Sequence, residues 1–324
     1  MRRSIGTILL LGVALSTPAW AQTKPTTFPQ RPVRLIVPSA PGGGTDLIAR
    51  LLYQRVSETW GQPVIVVNQP GGGTIIGTHN VAKATPDGHT LLMTAANFSM
   101  IPALNPKLPY DPEKDFAPVM AVASQTAMLA VNATLPVKTV SDLVNLVKSK
   151  PGEFRYGSGG SGTPNHFSSA MFGMITKVQL THIPYNGTGP SVTALLSNEI
   201  HMLITNSATI LPHVKSGRMR GLAVTGLTRA KAAPDIPTLA EAGVPNYRYE
   251  SWYGLWAPAS TPRALVAMIN DAFNKALLAP QTVERFAEPG IEAMGGPPEK
   301  FAAFVSSELK KWKEVAKAAD ISPD

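Results

Sequence analysis

A chain of 324 residues with no cysteine, 29 basic and 21 acidic residues and a formal charge of +8 excludes a disulfide-stapled scaffold and a cysteine-ligated metal centre. The positive balance favours anionic partners. The lysines and arginines are scattered, with no run of five or more and no aromatic interleaving, which argues against nucleic acid and for a weak field that steers a small carboxylate toward a cleft.

The first 21 residues read as an export peptide: Arg2 and Arg3, an apolar stretch from Ile5 to Leu15, then Ala19-Trp20-Ala21 as a small-x-small cleavage signal. That apolar run is shorter than the roughly 20 residues a spanning helix needs, and no later stretch approaches that length. Cleavage near Ala21, with no lipidation cysteine, predicts a free periplasmic protein. The remaining chain is long enough for two lobes: residues 22–122 with 249–324 are expected to form lobe 1, and 123–248 lobe 2.

Val33 to Val37 is an apolar strand that runs through Pro38-Ser39-Ala40-Pro41-Gly42-Gly43-Gly44-Thr45-Asp46 into a helix whose Leu47, Ile48, Leu51, Leu52 and Val56 recur at helical spacing before Gly61. The first N–H groups of a helix lack partners and the helix dipole adds positive charge there, so this turn reads as an anion cradle that needs no cationic side chain. A strand at Val64 to Val67, a helix opened by Pro70 to Thr74, and a strand at Leu91 to Thr94 follow. This alternation predicts a parallel sheet. Asn97 and Phe98 then lie at the same carboxyl edge as the cradle, where open α/β sheets place their ligands.

A proline-rich stretch from Pro102 to Pro118 leads into a long apolar strand at Val119 to Val131, with the first crossover near Ala121 to Ser124. The same grammar then repeats: a helix (Val140 to Ser149), a strand around Phe154 to Tyr156, and a loop from Gly157 to Thr163 before a helix from Asn165 to Thr176. That loop is a second cradle or simply a flexible strand–helix turn. Strands near Gln179 to Ile183, Met202 to Ile204 and Leu222 to Thr225 complete the lobe, and aromatic residues from Tyr247 to Trp256 carry the chain back. Two connections between two lobes permit hinge closure over a ligand.

Rival chemistries find little support. The glycines of Gly71-Gly72-Gly73-Thr74-Ile75-Ile76-Gly77 miss the dinucleotide spacing by one residue, and no acid stands at the ribose position. No pair among His79, His89, His166, His182, His201 and His213 has metal-ligand spacing with a carboxylate, so neither metal nor other cofactor is expected. No Gly-x-Ser-x-Gly elbow surrounds Ser158 or Ser161. A hydrolase using His166 with one of these serines is the enzymatic alternative to a receptor without catalysis.

Several stretches occur together and in order: Arg31 to Pro38 with Pro41-Gly42-Gly43-Gly44-Thr45-Asp46, Asn68 to Gly77, Pro86-Asp87-Gly88, Tyr110-Asp111-Pro112, Tyr185-Asn186-Gly187, Leu211 to Gly217, and Pro237 to Gly243. With them the chain resembles the substrate-binding proteins of tripartite tricarboxylate transporters, the Bug-type receptors, over essentially its whole exported length. The resemblance implies a type II periplasmic-binding fold, two α/β lobes joined by two crossover strands, with a carboxylate held largely by backbone amides and waters and delivered to membrane components of a transporter; a monomer is expected. It places Ser39, Pro41, Gly42, Gly43, Gly44, Thr45, Asp46, Asn97 and Phe98 on the ligand from lobe 1. From lobe 2 it places Ser158, Gly159, Gly160, Ser161, Thr163, His166, Tyr185, Asn186 and Thr205. Helix capping is the alternative role for Asp46 and His166, and core packing for Tyr185. His201 and Thr205 stand where the family leads one to expect acids, which points to a dicarboxylate, aromatic or aliphatic, that lacks an amino group. A sensor presenting its closed form to a signalling partner is the other reading of the same fold.

Overall fold

The computed structural model describes residues 28–185, 187–287, 290–319 and 321. The export peptide with its cleavage site, and Asn186, lie outside the described residues. None of the described helices is long and apolar enough to cross a membrane.

The first lobe grows from β1 (Val33–Val37), α1 (Gly44–Trp60), β2 (Val64–Asn68), α2 (Ile75–Ala82), β3 (Thr90–Ala95) and α3 (Asn97–Leu104). β1 pairs in parallel with β2 and β3, and α1 buries Ile48, Ala49, Leu52 and Val56 on one stripe against them. β4 (Phe116–Asn132) then leaves this lobe. The second lobe repeats the pattern with α4 (Val140–Ser149), β5 (Arg155–Ser158), α5 (Pro164–Thr176), β6 (Thr181–Pro184), α6 (Thr188–Leu196), β7 (Met202–Asn206), α7 (Ser207–Lys215) and β8 (Met219–Val224). The chain returns through β9 (Glu250–Pro258) and ends in α8 (Arg263–Leu277), α9 (Pro280–Ala287), β10 (Ile291–Ala293) and α10 (Pro298–Ala318).

The strand order β2-β1-β3-β9-β4 continues into β4-β7-β5-β6, so each half places its first strand between its second and third. This is the type II arrangement of two α/β lobes sharing crossover strands. β4 pairs with β9 as far as Thr126 and with β7 from Ala127. The strand therefore changes partners slightly beyond Ala121 to Ser124, at a point that its uniformly apolar sequence does not mark.

Helix α10 holds the halves together. Its buried residues Phe301, Val305, Glu308, Trp312 and Val315 form one stripe at alternating spacings of four and three, packed on α3, β4 and α5. Trp312 meets Phe167 of α5 at 5.5 Å and Tyr249 at 5.8 Å, both edge-on. Glu308 is buried among these rings and accepts hydrogen bonds from the indole N–H of Trp252 (3.0 Å) and of Trp312 (2.9 Å), and from Lys311.

Candidate functional site

In each lobe the three parallel strands run into helices at the same sheet edge: β1, β2 and β3 into α1, α2 and α3, and β5, β6 and β7 into α5, α6 and α7. None of these six helices has a side-chain cap on its first turn. Helices α8 and α10 likewise lack one, whereas α4 carries a full capping box, Thr139 with Asp142. Main-chain N–H groups at an uncapped helix start keep their capacity for an anion.

In the first cradle Asp46 is the organiser. Its buried carboxylate accepts from the N–H of Gly42 (2.9 Å), from Arg50 Nε (3.0 Å to each oxygen) and from Asn68 Nδ2 (3.0 Å). Burial opposes its charge, but Arg50, Gly42 and Asn68 together outweigh that and hold the carboxyl below its ordinary pKa. Asn68 also donates to the carbonyl of Ser39 (3.1 Å), so it pins both ends of the loop. Sequence reasoning missed Asn68 as part of the site; its position as the last residue of β2 before Pro70 was the available signal. Gly42 needs its glycine, with φ at +81°. Pro41, Gly42, Gly43 and Gly44 are exposed and Thr45 is half-buried, while Ser39 Oγ is buried without a hydrogen-bond partner. Asn97 donates to Thr74 Oγ1 (3.0 Å) and so joins the β3–α3 turn to the start of α2. The Phe98 ring instead packs in the core, 4.5 Å from Trp256 and 5.3 Å from Phe116.

The second cradle is tied from within. Ser158 Oγ accepts from the Gly160 N–H and donates to the Gly160 carbonyl (3.0 Å each), and Thr163 Oγ1 donates to the same carbonyl (2.6 Å). The Gly187 N–H donates to Gly159 (3.2 Å), and that of Tyr185 to Ser158 (3.1 Å), which draws the β5–α5 and β6–α6 turns together. His166 is buried and accepts the Gly162 N–H on Nδ1 (3.2 Å), its ring stacked 3.8 Å from His182. Tyr185 is half-buried; burial, followed by the charge of Glu199, pushes its phenol up. Gly159, Gly160, Ser161 and Thr163 are half-buried along the loop, and Thr205 is buried on β7.

Ser158 meets His182 at 2.6 Å, a partner the sequence reading did not select. The serine is fully buried and its oxygen is committed to Gly160, so the pair locks a turn and presents no nucleophile to a substrate. His201 precedes β7 at the end opposite the helix starts. Its Nδ1 accepts from the Arg155 N–H (2.9 Å) and its ring lies 4.7 Å from Phe154. Its identity therefore bears on folding more than on the ligand. Burial, then the nearby charges of Arg155 and Lys150, lower its pKa from 6.5. The unfolded chain thus binds the extra proton first, and stability is expected to fall as pH drops below about 6.5. His201→Gln should flatten that slope in urea titrations between pH 5 and 7.

A hollow of about 800 Å³ lies elsewhere, between the Pro102 to Asp115 segment and α10. Asp111, Glu113 and Asp115 line it together with Lys310 and Lys313, a mixed charge with no selectivity for an anion.

Two α/β lobes joined by crossover strands, with uncapped helix starts at corresponding sheet edges, are the architecture of a solute-binding receptor. Residues 48–321 match the Tripartite tricarboxylate transporter family receptor, and the chain belongs to that family. It is 36% identical over 306 residues to the UPF0065 protein of the tcbD-tcbE intergenic region of Pseudomonas sp. (strain P51), covering 94% of this chain and 91% of that one. It is 32% identical to the protein BugT of Bordetella pertussis, covering 96% of each. Among solved structures, R. palustris Rpa4515 with adipate superposes with a TM-score of 0.81 at 34% identity, over 92% of this chain and 100% of that one. MatC from Rhodopseudomonas palustris with bound malate gives 0.77 at 32% identity, over 89% and 99%. The family and these neighbours are substrate-binding receptors, and the chain is a receptor, not an enzyme.

Proposed function

We propose that the chain works in the periplasm as a monomeric receptor that closes over a small dicarboxylate without an amino group and hands it to the membrane components of a tripartite transporter. What supports this reading is the set of uncapped helix starts at the corresponding sheet edge of each lobe, with no lysine or arginine among the candidate contacts. Ser39 to Thr45 would take one carboxylate, and Gly159 to Thr163 the other. Four or five charge-assisted hydrogen bonds at roughly 1.5–3 kcal/mol each leave enough, after the cost of association, for micromolar affinity. The adipate and malate held by structural neighbours support a carboxylate. Thr205, a neutral hydroxyl on β7, offers no charge to an ammonium group and supports the lack of one.

Calorimetric titration with adipate, malate, citrate, phthalate, nicotinate, aspartate and glutamate tests this. Tight binding of a dicarboxylate without an amino group is the expected result. Tight binding of aspartate alone would overturn the ligand class.

A further inference from the structure

We infer that the Tyr253 hydroxyl is a positioning group for ligand capture: it holds the first turn of α1 against Asn206 at the start of α7, and so sets one half of the anion site relative to the other. The inference rests on the reading of the facing helix starts as the carboxylate site.

Tyr253 lies on β9, one of the two strands that join the lobes. Its backbone neighbours are Ala95, the last residue of β3, and Ala123 of β4. This places it level with the sheet edge from which the ligand loops spring. The ring is 4% exposed and packed in the core of the first lobe, so it has little room to swing. Its oxygen lies directly under α1: a β-carbon on residue 44 would sit 2.6 Å from the hydroxyl oxygen, whereas the next nearest atom, Cζ, is 3.4 Å away. Gly44 does not have the positive φ that would itself demand glycine. The residue is glycine because an oxygen occupies the space where a side chain would begin.

Asn206 and Ser251 present polar side chains to the hydroxyl. Asn206 ends β7, precedes α7 and pairs with Ala127, the residue at which β4 has passed into the second lobe. One oxygen thus lies beside the start of a helix in each lobe, on a strand that joins them. Phenylalanine would fill the same core volume without the cost of burying a hydroxyl, so packing alone does not account for tyrosine.

The test compares the intact secreted protein with Tyr253→Phe, Gly44→Ala and the double variant, by adipate calorimetry and urea unfolding. Tyr253→Phe is expected to weaken adipate about 10-fold, and Gly44→Ala by more than that, each 10-fold being about 1.4 kcal/mol. Adding Tyr253→Phe to Gly44→Ala should bring the loss back to that of Tyr253→Phe alone, because removing the oxygen removes the clash while the positioning group stays absent. A contact that only packs would leave Tyr253→Phe at wild-type affinity and return the double variant to it as well. Wild-type affinity in Tyr253→Phe, or a double variant no better than Gly44→Ala, would overturn the inference. If Gly44→Ala does not fold, weaker adipate binding by Tyr253→Phe at an unchanged urea midpoint still supports it, and unchanged binding overturns it. If the wild type binds none of the carboxylates, the proposed function fails by itself. The positioning contact is then judged from unfolding: non-additive effects of the two substitutions support it, and additive effects reject it.

Discussion

Asp46→Ala is expected to weaken carboxylate binding about 100-fold or more and to destabilise the protein by roughly 2–4 kcal/mol. The carboxylate gathers the Gly42 N–H, the Arg50 guanidinium and the Asn68 amide at one point. Without it the glycine loop loses the bond that curls it over the start of α1, and Asn68 loses its register with Ser39. Asp46→Asn keeps an acceptor but turns an N–H toward other donors, so an intermediate loss is expected. The pH dependence follows from the lowered pKa of Asp46. Its contribution is complete above the unfolded carboxyl pKa and disappears as pH falls through the folded value. Calorimetry with a bound carboxylate and urea titration in parallel measure both effects; an affinity within threefold of wild type would show that the loop shapes itself without the acid.

Glu308→Ala should cost still more stability, roughly 3–5 kcal/mol, the range for removing one partner from a buried charged cluster. It would strip the acceptor from two buried indole N–H groups, those of Trp252 on β9 and Trp312 on α10, and the counter-charge from Lys311. Burial already lowers the Lys311 pKa, and Glu308 works against that shift. With about 2–4 °C lost per kcal/mol in chains of comparable size, the unfolding temperature should drop by about 10 °C. Glu308→Gln retains an acceptor and should fall between. Because α10 packs on α3 and α5 alike, near-ultraviolet dichroism of the tryptophans should report the loosening before the lobes unfold. A change of less than about 1 kcal/mol in Glu308→Ala would show that the indoles find other acceptors.

Much of this architecture is legible locally. The apolar run of β1, the glycines after it and the helical stripe of α1 stand within 30 residues of one another, and their repetition around β5 and α5 announces a second lobe. Helices α3 and α7 were not legible, because Pro102 and Pro212 sit inside them and read as breaks. The short α9 and β10 span too few residues to stand out. Within the candidate site, Asp46 was readable as a capping residue, since an acid in the first turn of a helix suits that role. That Asn68 would complete its shell was not, because the partner comes from a different strand.

Hydrophobic period, glycine placement and chain order determined the two strand–turn–helix lobes and the family, since each of these is a property of neighbouring residues. Tertiary structure alone decided where β4 changes sheets, that His182 and not His166 meets Ser158, and that Phe98 turns into the core. It also brought Tyr253 beneath Gly44 and set Glu308 between two tryptophans. Those contacts join residues far apart in the chain, and which of many chemically equivalent partners meet is chosen by how the sheets pair and the helices pack, not by any local pattern.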